Sequence, residues 1–201
     1  VHAEGQVIAF DISWRHSVPD LERALNAVLP QDVAVRDLTE TAPGFHPRFD
    51  ASSRRYRYTV YNARVRSPLA RRTSLYVKEP LSLDAMGAAA VQVIGVHDFA
   101  AFGRPTQGDV TVRHVLDAGW AANLPWLFFE IEANAFLFRM VRSIVGTLLQ
   151  VGKGRLPPER FGAILRSRER GSAGQTAPAC GLCLIEVQYD ELERPNTNCQ
   201  E

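Results

Sequence analysis

The sequence predicts an α+β fold in which a mainly antiparallel sheet carries its helices on one face. Residues 54–61 alternate between side chains of two faces, as in a half-buried strand, whereas the apolar residues of 134–151 recur at helical spacing. The third observation is the order of elements, β-α-β-β-α-α-β from residue 54 onward. Apart from one extra helix, this is the split β-α-β-β-α-β arrangement of ferredoxin-like folds.

Length and composition are those of an ordinary globular protein. The chain has 201 residues, 46% of them hydrophobic, which suffices for one large domain or two small ones with real cores. No apolar run is long enough to cross a bilayer, and the first residues lack the features of a secretory signal. We therefore expect a cytoplasmic protein without a membrane partner.

The overall charge carries little information about a partner. The formal net charge is +1, so any preference for nucleic acid has to come from local clusters of basic residues. Lys78 and Lys153 are the two lysines, and the other basic residues are arginines, whose planar guanidinium suits phosphate oxygens.

The first 45 residues contain a strand, a helix and a strand. Residues 7–12 and 33–38 are predicted as strands, and a helix opens at Ser17 and Pro19. The apolar positions of this helix fall on one face, and they are Leu21, Leu25, Val28 and Leu29. Three elements are too few for a stable unit. We therefore predict that residues 1–45 are part of an N-terminal ferredoxin-like domain and that 46–201 form a C-terminal one.

Residues from 54 onward supply a fuller set of elements. Helices are predicted over 83–94, from Asn134 as N-cap to Val151, and from Pro157-Pro158 onward. The remaining strands are predicted around 110–118, 126–133 and 182–189, with a hairpin-like break at Asn123-Leu124-Pro125.

Two segments carry candidate functional residues. Cations and rings alternate over residues 45–58, as they do on surfaces that bind the RNA backbone and stack on bases. The alternative is a half-buried strand with tyrosines in the core and arginines in water. In the second segment Arg142 borders the apolar helix face, where an arginine either reaches water or pairs with a buried carboxylate.

The cysteines and histidines give no metal-site pattern. Cys180-Gly-Leu-Cys183 has no second Cys or His pair to complete a tetrahedral site, and the histidines are scattered singly. We expect no metal, and we expect Cys183 to act as a small hydrophobic residue of a strand.

Several motifs, in order, resemble those of one enzyme family. They are the opening Val1-His2-Ala3-Glu4-Gly5-Gln6, then Phe45-His46-Pro47-Arg48-Phe49 with Arg54-Arg55-Tyr56-Arg57-Tyr58, Gly95-Val96-His97-Asp98-Phe99, Ala133-Asn134-Ala135-Phe136-Leu137 with Met140-Val141-Arg142-Ser143, and Ala177-Pro178 with Gly181-Leu182. In these the chain resembles the tRNA pseudouridine synthases of the TruA type. Each short motif alone is weak, but their shared order makes a chance match improbable.

The resemblance implies a fold and a reaction. The fold would be two ferredoxin-like halves joined across a basic cleft, usually in a homodimer. The substrate would be a uridine in the anticodon stem-loop of tRNA, whose base is detached at N1, turned and rejoined through C5, without a cofactor or metal. In the family the nucleophile is an aspartate of an Arg-Thr-Asp motif, which would lie three positions before Val1. We therefore expect residues 1–201 alone to be inactive.

The resemblance also assigns site residues. Tyr56 matches the tyrosine that stacks on the target base, and its phenol would lie where the C5 proton leaves. Arg142 matches the arginine that pairs with the catalytic aspartate. RNA contacts are expected from the neighbouring polar residues, namely His46, Arg48, Arg54, Arg55 and Arg57.

Two other functions fit fewer of these observations. A non-catalytic RNA-binding module would also show the arginine-rich segments but would turn nothing over. A structural α+β domain would explain the composition and leave the order of the motifs unexplained. Phe138-Arg139, where relatives often have histidines, and the loop at Gly103-Arg104 are the departures that bear on tRNA contacts.

Overall fold

The structure is a computed structural model that describes residues 1–190. The chain divides into two compact units. One comprises Val1–Gln6 and Ser52–Gln188, and the other comprises Val7–Ala51 with, among the described residues, Tyr189 and Asp190. The domain boundary between residues 45 and 46 stays a prediction.

The unit that contains Val7–Ala51 is built around one helix. Helix α1 spans Val18–Val28, and Ser17 caps it in a reciprocal capping box with Asp20. The predicted helix is thus confirmed. The two predicted strands at 7–12 and 33–38 are wrong, because neither segment forms a strand in the structure.

The two segments differ in what surrounds their side chains. The amide side chain of Asn26 accepts a hydrogen bond from Val35 N (2.8 Å) and donates one to Val35 O (2.9 Å). Residues 33–38 are therefore held by helix side chains rather than by a strand ladder. In the other segment the apolar side chains of Ile8, Phe10 and Ile12 are 68%, 47% and 52% exposed.

The other unit contains a seven-stranded sheet. Its strands are β1 (His2–Ala3), β2 (Ala51–Asn62), β3 (Leu75–Val77), β4 (Gly95–Asp98), β5 (Val112–Asn123), β6 (Trp126–Ala133) and β7 (Leu182–Tyr189). The order across the sheet is β1-β7-β2-β6-β5-β4, with β3 paired to β2. The pairs β2/β6, β5/β6 and β4/β5 are antiparallel, whereas β1/β7 and β2/β3 are parallel. The sheet is mostly antiparallel, as predicted, and the short strands β1, β3 and β4 were not anticipated.

Three helices belong to this unit: α2 (Leu83–Ala90), α3 (Met140–Gly152) and α4 (Pro158–Ser167). The predicted cap of α3 is wrong, because Asn134 extends the pairing of β6 with β5 instead. Its backbone N–H donates to His114 O (3.0 Å) and its side-chain oxygen accepts from His114 N (3.0 Å). None of the helices within residues 1–190 is both long and apolar enough to span a membrane.

The core lies between the sheet and these helices. Fully buried strand residues include Tyr58, Val60 and Phe129, and fully buried helix residues include Ile144 and Phe161. All belong to one continuous cluster. Burying one such side chain contributes about 1.5–3 kcal/mol, so the alternation of β2 determines which of its faces meets the helices. Tyr56 lies on that face, two residues before Tyr58.

Candidate active site

Tyr56 lies near the start of β2 on the face that the helices cover. It is opposite Ile131 of β6, and the Phe136 ring contacts the tyrosine ring edge-on at 5.1 Å between centroids. Burial raises the pKa of the Tyr56 phenol, and the charge of Arg54 opposes this shift. Tyr56 therefore keeps its proton at neutral pH and presents a half-buried hydroxyl and ring.

Arg142 lies in the first turn of α3, where the backbone of Ala177 fixes it. Its Nε donates to Ala177 O at 2.6 Å, and its own carbonyl accepts from Ala177 N at 3.0 Å. The pair closes a local ring between the helix and the segment before β7. Since this bond uses Nε and no residue of 1–190 binds the two Nη groups, these groups remain for another acceptor.

Arg142 forms no ion pair among the described residues. Within residues 1–190, no Asp or Glu forms an ion pair with this guanidinium at 4.0 Å or less. Other arginines of the unit do find such partners, for example Arg168 with Asp98 at 3.2 Å. The pairing of Arg142 with a catalytic aspartate stays a prediction.

Tyr58 lies on the same face of β2 as Tyr56 and is close to Arg142. Its hydroxyl donates to Pro178 O at 2.8 Å, and its fully buried ring leaves no room for a side chain at Gly181, where a Cβ would lie 2.7 Å from the ring. Burial raises the pKa of Tyr58, and Arg142 is close enough that its charge opposes the shift. Arg142 thus lies on the same side of the sheet as Tyr58 and Tyr56.

Arg54 shares this side of β2. Its Nη1 donates to Asn134 O at 2.6 Å, just after the end of β6, and its charge acts on the Tyr56 phenol. The structure therefore places three of the predicted site residues, Arg54, Tyr56 and Arg142, on one face of the sheet.

Arg55 and Arg57 lie on the opposite face. Each is directly across from a glutamate of β6, and each pairs with it: Arg55 Nη2 with Glu132 Oε2 at 2.6 Å and Arg57 Nε with Glu130 Oε1 at 2.8 Å. Such cross-strand pairs are the usual way in which a sheet face balances its charge. Sequence analysis missed both glutamates, although their spacing of two on an apolar strand is a visible signal.

His46 and Arg48 belong to the unit that contains Val7–Ala51, where they form a turn. The His46 amide donates to the Asp50 carboxylate at 2.6 Å, and the His46 ring lies 4.3 Å from the Phe49 ring. The Arg48 guanidinium lies 5.6 Å from the same ring centroid. The side chains of His46, Arg48 and Phe49 are exposed.

The site residues include an aromatic ring, which can stack on a neutral base, and a guanidinium, which can bind an anion. Within residues 1–190 there is no group of three or more His, Cys, Asp or Glu placed to hold a metal ion. Cys183 lies half-buried on β7, as expected, and burial raises the pKa of its thiol. The residues that sequence analysis did not single out are Phe136, which contacts Tyr56, and Tyr58, which lies between Tyr56 and Arg142.

Comparison with known proteins gives consistent matches. A family described as tRNA pseudouridine synthase matches residues 89–190. The chain is 45% identical to tRNA pseudouridine synthase A of Moorella thermoacetica over 192 residues, which cover 94% of the chain and 77% of that protein. It is 43% identical to the protein of the same name from Pelobacter propionicus (94% and 78% covered) and 44% identical to that from Roseiflexus sp. (95% and 72% covered).

Proposed function

Because the chain belongs to the tRNA pseudouridine synthase family, a family of isomerases, we propose that it converts uridine to pseudouridine in the anticodon stem-loop of tRNA. The N1–C1′ bond of the nucleotide breaks, the base turns, and a bond from C1′ to C5 forms. The proton on C5 leaves and N1 gains one, so substrate and product have the same atoms.

Tyr56 is the residue proposed to contact the base. The Tyr56 ring lies nearly perpendicular to the Phe136 ring, and a flipped-out base stacks on aromatic side chains of this kind. Because its pKa is raised, the phenol starts protonated. It can then receive the C5 proton as its own proton passes to solvent water, and water in turn supplies the proton that N1 gains. Tyr56 thus acts as a relay rather than as a phenolate base.

Arg142 is proposed to hold the nucleophilic carboxylate that the family resemblance requires. The observation that carries the proposal is the double hydrogen bond with Ala177, since it fixes the guanidinium near Tyr58 while neither Nη group has a hydrogen-bond partner within residues 1–190. A charge-assisted bond from these groups would keep a carboxylate ionised and aimed at the sugar. Since no carboxylate of residues 1–190 occupies this position, we propose that residues 1–201 alone bind tRNA without turning it over.

Polar residues close to Tyr56 in sequence are proposed as RNA contacts. Arg54 lies on the tyrosine face, and His46 and Arg48 project from an exposed turn. Arg55 and Arg57 could reach phosphate only from the other sheet face, in competition with Glu132 and Glu130. Phosphate contacts predict that tRNA binding weakens steeply as salt is raised.

The family also suggests how the strands and helices of the larger unit are arranged. We propose that Ser52–Gln188 forms one ferredoxin-like half, supported by four long strands in the order β7-β2-β6-β5 with α2 and α3 between them in sequence. The second half and a basic cleft between the halves stay predictions.

Assembly and location are also proposals. We propose a cytoplasmic homodimer: tRNA modification takes place where tRNA is used, and the exposed apolar side chains of Ile8, Phe10 and Ile12 favour association with another surface. Analytical ultracentrifugation of the full-length protein tests the dimer, and a monomer at micromolar concentration would exclude it.

The experiment that tests the activity is tritium release from tRNA labelled at uridine C5. The full-length gene product should release tritium, and Tyr56→Phe and Arg142→Ala should each reduce the single-turnover rate by at least about 10²-fold. Tyr61→Phe, on the same strand but facing the other way, and Arg160→Ala, on the exposed face of α4, are matched controls. Undiminished rates in both site variants would reject the assignment. Tight tRNA binding without any release by the full-length protein would instead favour a non-catalytic RNA-binding module.

A further inference from the structure

A compact cluster of two arginines and one aromatic ring lies at the N-terminal end of α3. The guanidinium carbons of Arg104 and Arg139 each lie 5.0 Å from the centroid of the Phe138 ring, within the range of a cation–π contact. All three side chains are exposed, and Phe138 retains 41% of its accessible surface. The cluster joins two segments distant in sequence, the loop after Gly103 and the residues before α3.

The backbone beneath the cluster is well anchored. Phe138 N donates to Arg104 O at 2.9 Å in an isolated antiparallel bridge. Beside it, Gly103 packs so closely on Leu137 that a Cβ would lie 2.6 Å from the leucine Cβ, and Phe102 and Leu137 are buried. The exposed side chains therefore project from a fixed base rather than from an unattached loop.

The two arginines of this cluster differ from four arginines of the unit whose charges are balanced by ion pairs. Arg55, Arg57, Arg155 and Arg168 all pair with carboxylates. Neither Arg104 nor Arg139 forms an ion pair with any carboxylate of residues 1–190. Two positive charges are thus held against one ring without neutralisation, an arrangement that a nearby anion would stabilise.

We propose that Arg104, Phe138 and Arg139 form a phosphate-binding site for the tRNA backbone, with the ring of Phe138 holding both guanidiniums in place. Planar guanidiniums bind phosphate oxygens through two parallel hydrogen bonds, and a ring that orients them lowers the entropy lost on binding. Arg139 precedes the turn that carries Arg142, and its carbonyl accepts from Ser143 N at 3.0 Å. The site would thus hold the backbone near the proposed reacting nucleotide.

This inference rests on the proposed function and adds a binding site that takes no part in the chemistry. The two arginines are expected to affect affinity and its salt dependence, and to leave the rate of the bound complex unchanged. Phe138 is a positioning residue, whose removal leaves both charges present.

The test measures binding of unmodified tRNA, transcribed in vitro, to the full-length protein at several salt concentrations. The double variant Arg104→Gln/Arg139→Gln should bind roughly tenfold or more weakly at 0.1 M salt, because each lost phosphate contact lowers the slope of log K against log salt by about 0.7–0.9. Phe138→Leu should weaken binding with an unchanged slope. Arg160→Gln removes an exposed arginine of α4. It should change the affinity and the salt slope by no more than the loss of one nonspecific charge.

Single-turnover tritium release at saturating tRNA completes the test. The double variant should retain the parental rate within about twofold, because these side chains do not touch the reacting atoms. Affinity and salt slope equal to those of Arg160→Gln would overturn the proposal, and so would a slower rate at saturation with unchanged affinity. If the parent binds tRNA with this arginine dependence but releases no tritium, the proposed catalysis fails and the phosphate site stands.

Discussion

Gly146 is the position at which one added methyl group should disable the proposed site from a distance. It lies in α3, one turn after Arg142, and the segment before β7 crosses the helix there. A Cβ at Gly146 would lie 1.9 Å from Gln175 O and 3.2 Å from Ala177 N, whereas real Cβ contacts stay beyond 3.0 Å. In Gly146→Ala the crossing segment therefore has to move by about 1 Å or more.

The energetic cost follows from the bonds that this movement breaks. The Arg142–Ala177 pair consists of a charged hydrogen bond of 2.6 Å and a neutral one of 3.0 Å. Their loss costs about 2–4 kcal/mol, and the better helix propensity of alanine returns about 1 kcal/mol. We expect a net destabilisation of about 1–3 kcal/mol and, because the guanidinium shifts by about 1 Å, a loss in rate on the order of 10²-fold.

Urea unfolding and single-turnover tritium release measure these two effects. The matched control is Gly87→Ala in α2, where nothing lies within 4 Å of the added Cβ, so stability should rise by about 0.5–1 kcal/mol and the rate should not change. A Gly146→Ala variant as stable and as fast as the parent would refute the role assigned to the Ala177 contact.

Three further predictions concern stability and are read by urea unfolding. Phe129→Ala should cost about 3–5 kcal/mol, because this ring is fully buried on the central strand β6. Thr111→Val should reduce the gain in stability between pH 3 and pH 7. The hydrogen bond from the Thr111 hydroxyl is the main cause that holds the pKa of Asp98 below its usual value. The ionised Asp98 therefore stabilises the fold at pH values above its pKa in the unfolded chain, and this stabilisation is lost as the pH falls through its pKa in the folded protein. Glu132→Gln should cost about 1–2 kcal/mol, because it weakens the pair with the partly buried Arg55.

Each of these predictions has an internal control. Phe128→Ala removes a neighbouring ring on the other, more exposed face of β6 and should cost less than Phe129→Ala. Equal pH dependence in Thr111→Val and the parent would contradict the assignment at Asp98. Glu130→Gln breaks a more exposed pair with Arg57, so a larger loss there than in Glu132→Gln would contradict the argument from burial.

Local patterns in the chain predicted most of the regular elements. The alternation over residues 54–61 predicted which tyrosines of β2 are buried, and Ser17 with Pro19 predicted the start of α1. These inferences hold because a strand or a helix repeats at a short period, and its buried face can be seen within a dozen residues.

Predictions that depended on distant partners failed or stayed open. Asn134 has the right side chain for a cap, but His114 lies within hydrogen-bonding reach and takes it, so α3 starts only at Met140. Residues 33–38 have the composition of a strand, but the Asn26 amide binds Val35 in place of a neighbouring strand. Propensity describes what a segment can form, and the partner that reaches it determines the result.

The residue types at the candidate site, and the family to which they point, were accessible from the chain alone, since Tyr56, Arg142 and the motif Ala177-Pro178 stand in plain order. Their arrangement was not. The bond from Arg142 to Ala177 spans 35 positions, and the pairing of Arg55 with Glu132 spans 77. Contacts of such separation follow from strand register and helix packing, because side chains far apart in sequence become neighbours only when the whole core is assembled.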